Sequence, residues 1–230
     1  MMKIGGLNKF SLIDYPGMIC AIVFTQGCSF NCPYCHNPEL SDPKLFGECI
    51  PEKDILTFLE KRRGKLDAVS VTGGEPTEQP DLIDFIKKIK AMGYLVKIDT
   101  NGSHPEVLTT LINTNLIDYI AMDVKAPFKK YQKVAGAAID TSTIRQSIKL
   151  IKESMIPYEF RTTVVKSQLD ESDLIAIGGL IRGAQLYVLQ KFIPTKTLNP
   201  SYMKKKTLTD EEFERVTKKL KRQVRTVVIR

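Results

Sequence analysis

Between residue 19 and about residue 220, six short apolar stretches each give way to an amphipathic one. No other feature of the chain limits its fold so strongly. Strands separated by helices lie side by side in a mostly parallel sheet, joined by right-handed crossovers. The apolar stretches are Ile19–Thr25 (ICAIVFT), Ala68–Thr72, Tyr94–Asp99, Tyr119–Val124, Tyr158–Val165 and Leu186–Leu189. Helical periodicity fills the gaps. Pro51–Arg63 opens on proline and carries Ile55, Leu56 and Leu59 on one face. Asp81–Met92 turns Leu82, Phe85, Ile86 and Ile89 inward, and helices follow at about Pro105–Ile112, Ser142–Glu153 and Asp170–Arg182. A helix over Asp210–Leu220 follows the sixth strand, and Val224–Ile229 is a strand-like tail. No linker, repeat or low-complexity segment divides the chain. The expectation is one domain over 1–230, with a core at about 19–220, an N-terminal extension and the tail.

Polar residues gather at one end of these strands. A cysteine loop follows the first, TGGEP (72–76) the second and DTNG (99–102) the third; Asp123 and Lys125 close the fourth, and Arg161 lies in the fifth. Parallel α/β folds bind ligands at the carboxyl ends of their strands. Five successive strands can converge on one site only if the sheet curves, and six units are too few to close an eight-stranded barrel. The fold class is therefore α/β: an open partial (βα)6 barrel, TIM-like, with parallel strands.

Composition removes several classes of function. No apolar run reaches the roughly 18 residues that a membrane span needs. The segment MMKIGGLNKFSLIDYPG has no continuous apolar core, so it does not read as a signal peptide. A cytoplasmic protein is expected, in a compartment that keeps clustered cysteines as ligands. The formal net charge of +8 is scattered, its densest groups being Lys204–Lys206 and Lys218, Lys219, Lys221 and Arg222. A solvated surface explains it first, and attraction to an acidic protein such as an electron donor second. Nucleic acid comes third, because no aromatic-rich basic motif accompanies the charge.

Three of the five cysteines, Cys28, Cys32 and Cys35, fall within TQGCSFNCPYCHNPEL. Zinc could recruit His36 as a fourth ligand, but adjacent ligands strain a tetrahedral site and the usual second pair is missing. Thiol redox chemistry would use Cys32-Pro33-Tyr34-Cys35 and leave Cys28 unexplained. An iron–sulfur cube normally takes four thiolates, so three leave one iron open to a substrate or cofactor. Cys20 lies in an apolar strand as packing, and Cys49 precedes a helix; neither suggests a second cluster.

The motif C-x3-C-x2-C after the first strand, with Tyr34 before its last cysteine, resembles the radical S-adenosylmethionine (SAM) superfamily. GCSFNCPYCHNPE, TGGEP, DTNG, MDVKAP and RTTVV stand in the order found in glycyl-radical-enzyme activating enzymes. The resemblance covers nearly the whole chain, and GLNKFSLIDYPG is similar to the opening of the branch that activates anaerobic ribonucleoside-triphosphate reductase.

The resemblance implies one 4Fe–4S cluster on Cys28, Cys32 and Cys35, with SAM on the open iron. Gly73 and Gly74 let backbone carbonyls approach the SAM amino group, and Asp99 adds an anionic acceptor. Lys125 and Arg161 suit the carboxylate, which arginine can grip bidentately. Asp123 orients Lys125 or meets the amino group; Thr100 and Asn101 suit ribose or main-chain contacts. Tyr34 can stack on or edge the adenine, with Gln190 or Phe192 closing the far side. Glu75 either joins these cofactor contacts or caps the turn. Taken singly, Gly73–Pro76 and Asn101–Gly102 could be plain turns, and Asp123–Lys125 a surface pair. His36 either faces an incoming partner loop or packs in the core, and His104 reads as structural.

The implied reaction is one-electron cleavage of SAM to a 5′-deoxyadenosyl radical, which takes an α-hydrogen from a glycine of a partner enzyme. The electron would come from a reduced flavodoxin- or ferredoxin-type donor. Two alternatives stand beside this: a radical SAM enzyme acting on a small molecule or nucleotide, and a non-catalytic iron–sulfur or zinc protein. The last would not require TGGEP, Asp99, Lys125 and Arg161 together.

Overall fold

A computed structural model describes residues 2–230. Eight strands form one sheet in chain order: β1 (Ile4–Ser11), β2 (Cys20–Thr25), β3 (Ala68–Gly73), β4 (Leu95–Thr100), β5 (Tyr119–Asp123), β6 (Tyr158–Val164), β7 (Leu186–Lys191) and β8 (Thr226–Ile229). From β2 to β8 every neighbouring pair is parallel. The helices are α1 (Pro38–Ser41), α2 (Glu52–Lys61), α3 (Leu82–Ala91), α4 (Pro105–Asn113), α5 (Tyr131–Ala135), α6 (Thr141–Glu153), α7 (Glu171–Leu180) and α8 (Asp210–Leu220). Among the described residues β1 and β8 are edges that do not pair with each other, so the barrel is open.

The N-terminal extension adds an antiparallel edge to this otherwise parallel sheet. It forms β1, antiparallel to β2 with Ile4 opposite Thr25 and Ser11 opposite Cys20, through two irregularities of register. The tail is likewise part of the sheet, as β8 beside β7. The starts of α2 and α7 fall one residue later than expected, at Glu52 and Glu171, while α8 begins at Asp210 as expected. Asp170 and Thr209 cap α7 and α8 through reciprocal capping boxes, and Pro51 precedes α2 rather than opening it.

Side chains alternate across each strand, so the two faces of the sheet differ. Ala21, Val23, Val69, Val71, Val96, Ile98, Ile120 and Met122 point toward the helices and join the main core. The opposite face changes along its length. Near the amino ends Cys20, Ile22, Ala68, Tyr119 and Ala121 form a small apolar cluster, closed by Tyr15, whose ring lies 5.7 Å from that of Tyr119. At the carboxyl ends the same face carries Thr72, Asp99, Asp123 and Arg161. Its floor is apolar and its rim is charged.

Candidate active site

The loop after β2 brings Cys28, Cys32 and Cys35 to the wall of a cavity of about 250 Å³, with Tyr34 and His36 from the same loop. Backbone hydrogen bonds hold the loop from three directions. The Gly74 and Glu75 amides donate to Thr25 O and Gly27 O at 2.9 and 2.7 Å. The Asn31 amide donates to Ala135 O at 2.8 Å, and Leu198 and Asn199 donate to Cys35 O and Pro33 O at 3.1 and 2.9 Å. Gly73 has φ +120, and a Cβ on Gly74 would stand 2.0 Å from Gly27 O. The two glycines thus allow β3 and the cysteine loop to touch backbone to backbone.

Glu75 is buried and saturated. Its Oε1 accepts from the Thr77 amide (3.1 Å), Thr77 Oγ1 (2.6 Å) and Thr100 Oγ1 (2.8 Å), and its Oε2 from the Asn101 amide (2.6 Å). It ties the turn after β3 to the end of β4, although it also lines the cavity. Burial pushes its pKa up, against the pull of these donors. Replacing Glu75 by Gln turns one acceptor into a donor that faces donors. Unfolding by denaturant should show a loss of about 1–3 kcal/mol; an unchanged midpoint would contradict this account.

Charged residues on β4, β5 and β6, with Lys125 just beyond β5, form one unbranched chain along the rim of the sheet. Lys97 Nζ bonds Asp99 Oδ1; Asp99 Oδ2 accepts from Thr72 Oγ1 (3.2 Å) and Arg161 Nη1 (3.1 Å). Arg161 Nε donates to Asp123 Oδ1 at 2.8 Å, and Lys125 Nζ to Asp123 Oδ2 at 2.9 Å. Burial alone would raise both carboxyl pKa values. Arg161, aided by Lys97 at Asp99 and by Lys125 at Asp123, instead holds each below the usual carboxylate range. Lys97 was absent from the residues singled out in the sequence. Its signal was a lysine two positions before Asp99, on the same face of an otherwise apolar strand.

The remaining expected residues divide. Thr100 and Asn101 line the cavity, and Asn101 Nδ2 lies 3.9 Å from Cys28 Sγ as Ser41 Oγ lies 3.7 Å from Cys35 Sγ. Gln190 lines the far wall, where Thr163 Oγ1 donates to it at 3.3 Å. Phe192 does not line the cavity: it is buried behind His36, stacked 5.4 Å away at 7°. His36 Nε2 lies 2.9 Å from Ile193 O, and burial pushes the His36 pKa down. His104 precedes α4, with Nδ1 3.1 Å from Glu106 Oε1.

The donor set fits an iron–sulfur cluster with a polar ligand beside it. Burial pushes the Cys32 thiol up to about 11 and Cys28 further, so without a metal both stay neutral thiols. Among the described residues no three His, Cys, Asp or Glu side chains converge on a single ion. A cube needs no such convergence, because it spreads its thiolates over separate irons. Tyr34 lines the same cavity with its hydroxyl buried and without a hydrogen-bond partner among the described residues.

Comparisons with known proteins agree with this chemistry. The family profile described as the Radical SAM superfamily matches residues 22–176. A Methanocaldococcus jannaschii protein provisionally described as a glycyl-radical enzyme activating enzyme is 36% identical over 99% of this chain and 95% of its own. The pyruvate formate-lyase-activating enzyme of Clostridium pasteurianum is 32% identical over 54% of this chain and 53% of its own. Among solved structures, Streptococcus suis SuiB bound to precursor peptide SuiA has a TM-score of 0.69, at 16% identity, over 91% of this chain. The present chain spans 48% of SuiB, about half its length, and the likeness concerns the fold.

Proposed function

The chain belongs to the radical SAM superfamily, and from that premise we propose that it activates a glycyl radical enzyme. Membership implies a 4Fe–4S cluster and SAM as cofactors. In this reading Cys28, Cys32 and Cys35 hold the one cluster, and the rim of the sheet holds SAM. When bound together, these groups supply one-electron cleavage of a sulfonium and hence a carbon radical able to take an unactivated hydrogen. The observation that carries the reading is that one cavity joins three thiols to a buried chain of charges of both signs.

The chain's own residues bind, orient and exclude water. Arg161 and Lys125 give the methionine carboxylate two cationic partners, and Asp99 and Asp123 give its ammonium anionic ones. The glycine pair presents backbone where a side chain would collide. Asn101 and Ser41 place polar hydrogens near Cys28 and Cys35, the kind of contact that shifts cluster potential. Tyr34 supplies one hydroxyl and an apolar ring at the wall.

The partner we favour is an anaerobic ribonucleoside-triphosphate reductase, because GLNKFSLIDYPG is similar to the opening of that branch. A reduced flavodoxin or ferredoxin would serve as donor, in the cytoplasm, with the whole of 1–230 acting as one domain. No helix among the described residues is long and apolar enough to cross a membrane. The test is anaerobic reconstitution and reduction with SAM. Release of 5′-deoxyadenosine is expected, and a glycine-centred doublet in electron paramagnetic resonance on adding the reductase. No cleavage would remove the enzymatic reading. Cleavage with every glycyl radical partner silent would shift it to a small-molecule or nucleotide substrate.

A further inference from the structure

Lys97 is the one member of the charged chain that does not line the cavity. Its side chain is 3% exposed, and Asp99 is its one hydrogen-bonding partner among the described residues. Its neighbours across the sheet are Ser70 and Tyr119. A buried ammonium is costly to desolvate, and one carboxylate satisfies only part of its donor capacity. A leucine there would extend the apolar floor of Ile22, Ala68 and Tyr119 without that cost.

Charge counting gives Lys97 a role. The chain alternates Lys97, Asp99, Arg161, Asp123, Lys125, so three cations face two carboxylates and one positive charge is in excess. Nearby acids do not cancel it by contact. Glu75 is bonded by Thr77, Thr100 and Asn101, and Glu159, two residues before Arg161, is paired with Arg230. Without Lys97 the excess vanishes, and Arg161 becomes the only cation bonded to Asp99 while still bonded to Asp123.

We propose that Lys97 is a positioning residue that sets the cavity's affinity for the carboxylate of an amino-acid moiety: by holding Asp99 from behind, it releases Arg161 to pair with that carboxylate. The proposal rests on the SAM reading of the site. Lys97 would not touch the ligand, since Asp99 and Arg161 stand between them. Its effect is therefore specific to ligands that carry a carboxylate.

Equilibrium binding of SAM and of decarboxylated SAM to the reconstituted protein tests this. In Lys97→Met, SAM should bind about tenfold more weakly, the scale of one charged hydrogen bond, while decarboxylated SAM binds as before or better. Lys97→Met combined with Asp99→Asn removes one charge of each sign and restores the single excess. That double variant should recover the preference for the carboxylate, even where the single variant fails to fold. Equal weakening of both ligands in Lys97→Met would overturn the proposal, as would a double variant that shows no preference. Wild-type protein that bound neither ligand would overturn the SAM reading itself, a different and recognisable result.

Discussion

Replacing Cys32 by alanine should leave a folded protein that assembles no 4Fe–4S cluster and forms no 5′-deoxyadenosine from SAM. The fold should survive because the cysteine loop is held through main chain, at Asn31, Pro33 and Cys35, and not through the thiols. The site should not survive, because two thiolates cannot hold a cube that lacks two protein ligands. Loss of cleavage should exceed about 100-fold, the upper end of what removing an outer partner of a metal ligand costs. Iron and sulfide content, visible absorbance and product chromatography would each report it. Full cluster content with normal cleavage would show that the ligand set is wrong.

Arg161→Ala should have the largest effect on stability. Its guanidinium joins Asp99 and Asp123, whose side chains are 15% and 22% exposed. Removing the shared cation leaves two mostly buried carboxylates each short of a partner, at a cost of about 3–5 kcal/mol. The pH dependence has a definite sign. Both aspartates have folded pKa values below their unfolded ones, so their contribution is present above the ordinary carboxylate range. It is lost as pH falls through the folded values. Without Arg161 those folded values move up, so the variant should be much weaker at neutral pH and the gap should narrow in acid. Denaturant midpoints across that range would check it; a gap that is flat with pH would contradict the electrostatic account.

Much of the molecule was legible because its signals are local. Six apolar runs became β2 to β7 within a residue or two, since a strand buried on both faces needs little else to declare it. Many of the cavity-lining residues were legible for a similar reason, since they sit at or just beyond a strand end; Arg161, inside β6, and Phe30, Ser41 and Thr163 lack that signal. Other features needed partners distant in the chain. In β1, Gly5, Gly6, Asn8 and Lys9 blur the alternation, and its pairing to β2 is visible only in three dimensions. The short helix α5 carries too few turns for periodicity to speak. Strand alternation would put Phe192 on the same face as Gln190, but β7 ends at Lys191, and beyond it Phe192 packs behind His36 instead of lining the cavity. Lys97 interrupts the apolar pattern of β4, and only its contact with Asp99 accounts for it.

The anchoring of the cysteine loop also bears on how the protein matures. Cys28, Cys32 and Cys35 are made well before Leu198 and Asn199, whose amides help to clasp their loop. The thiols are therefore made long before the walls that orient them. Iron and sulfide delivered during synthesis would meet an unshaped peptide, whereas the same ions delivered after release meet a finished cradle.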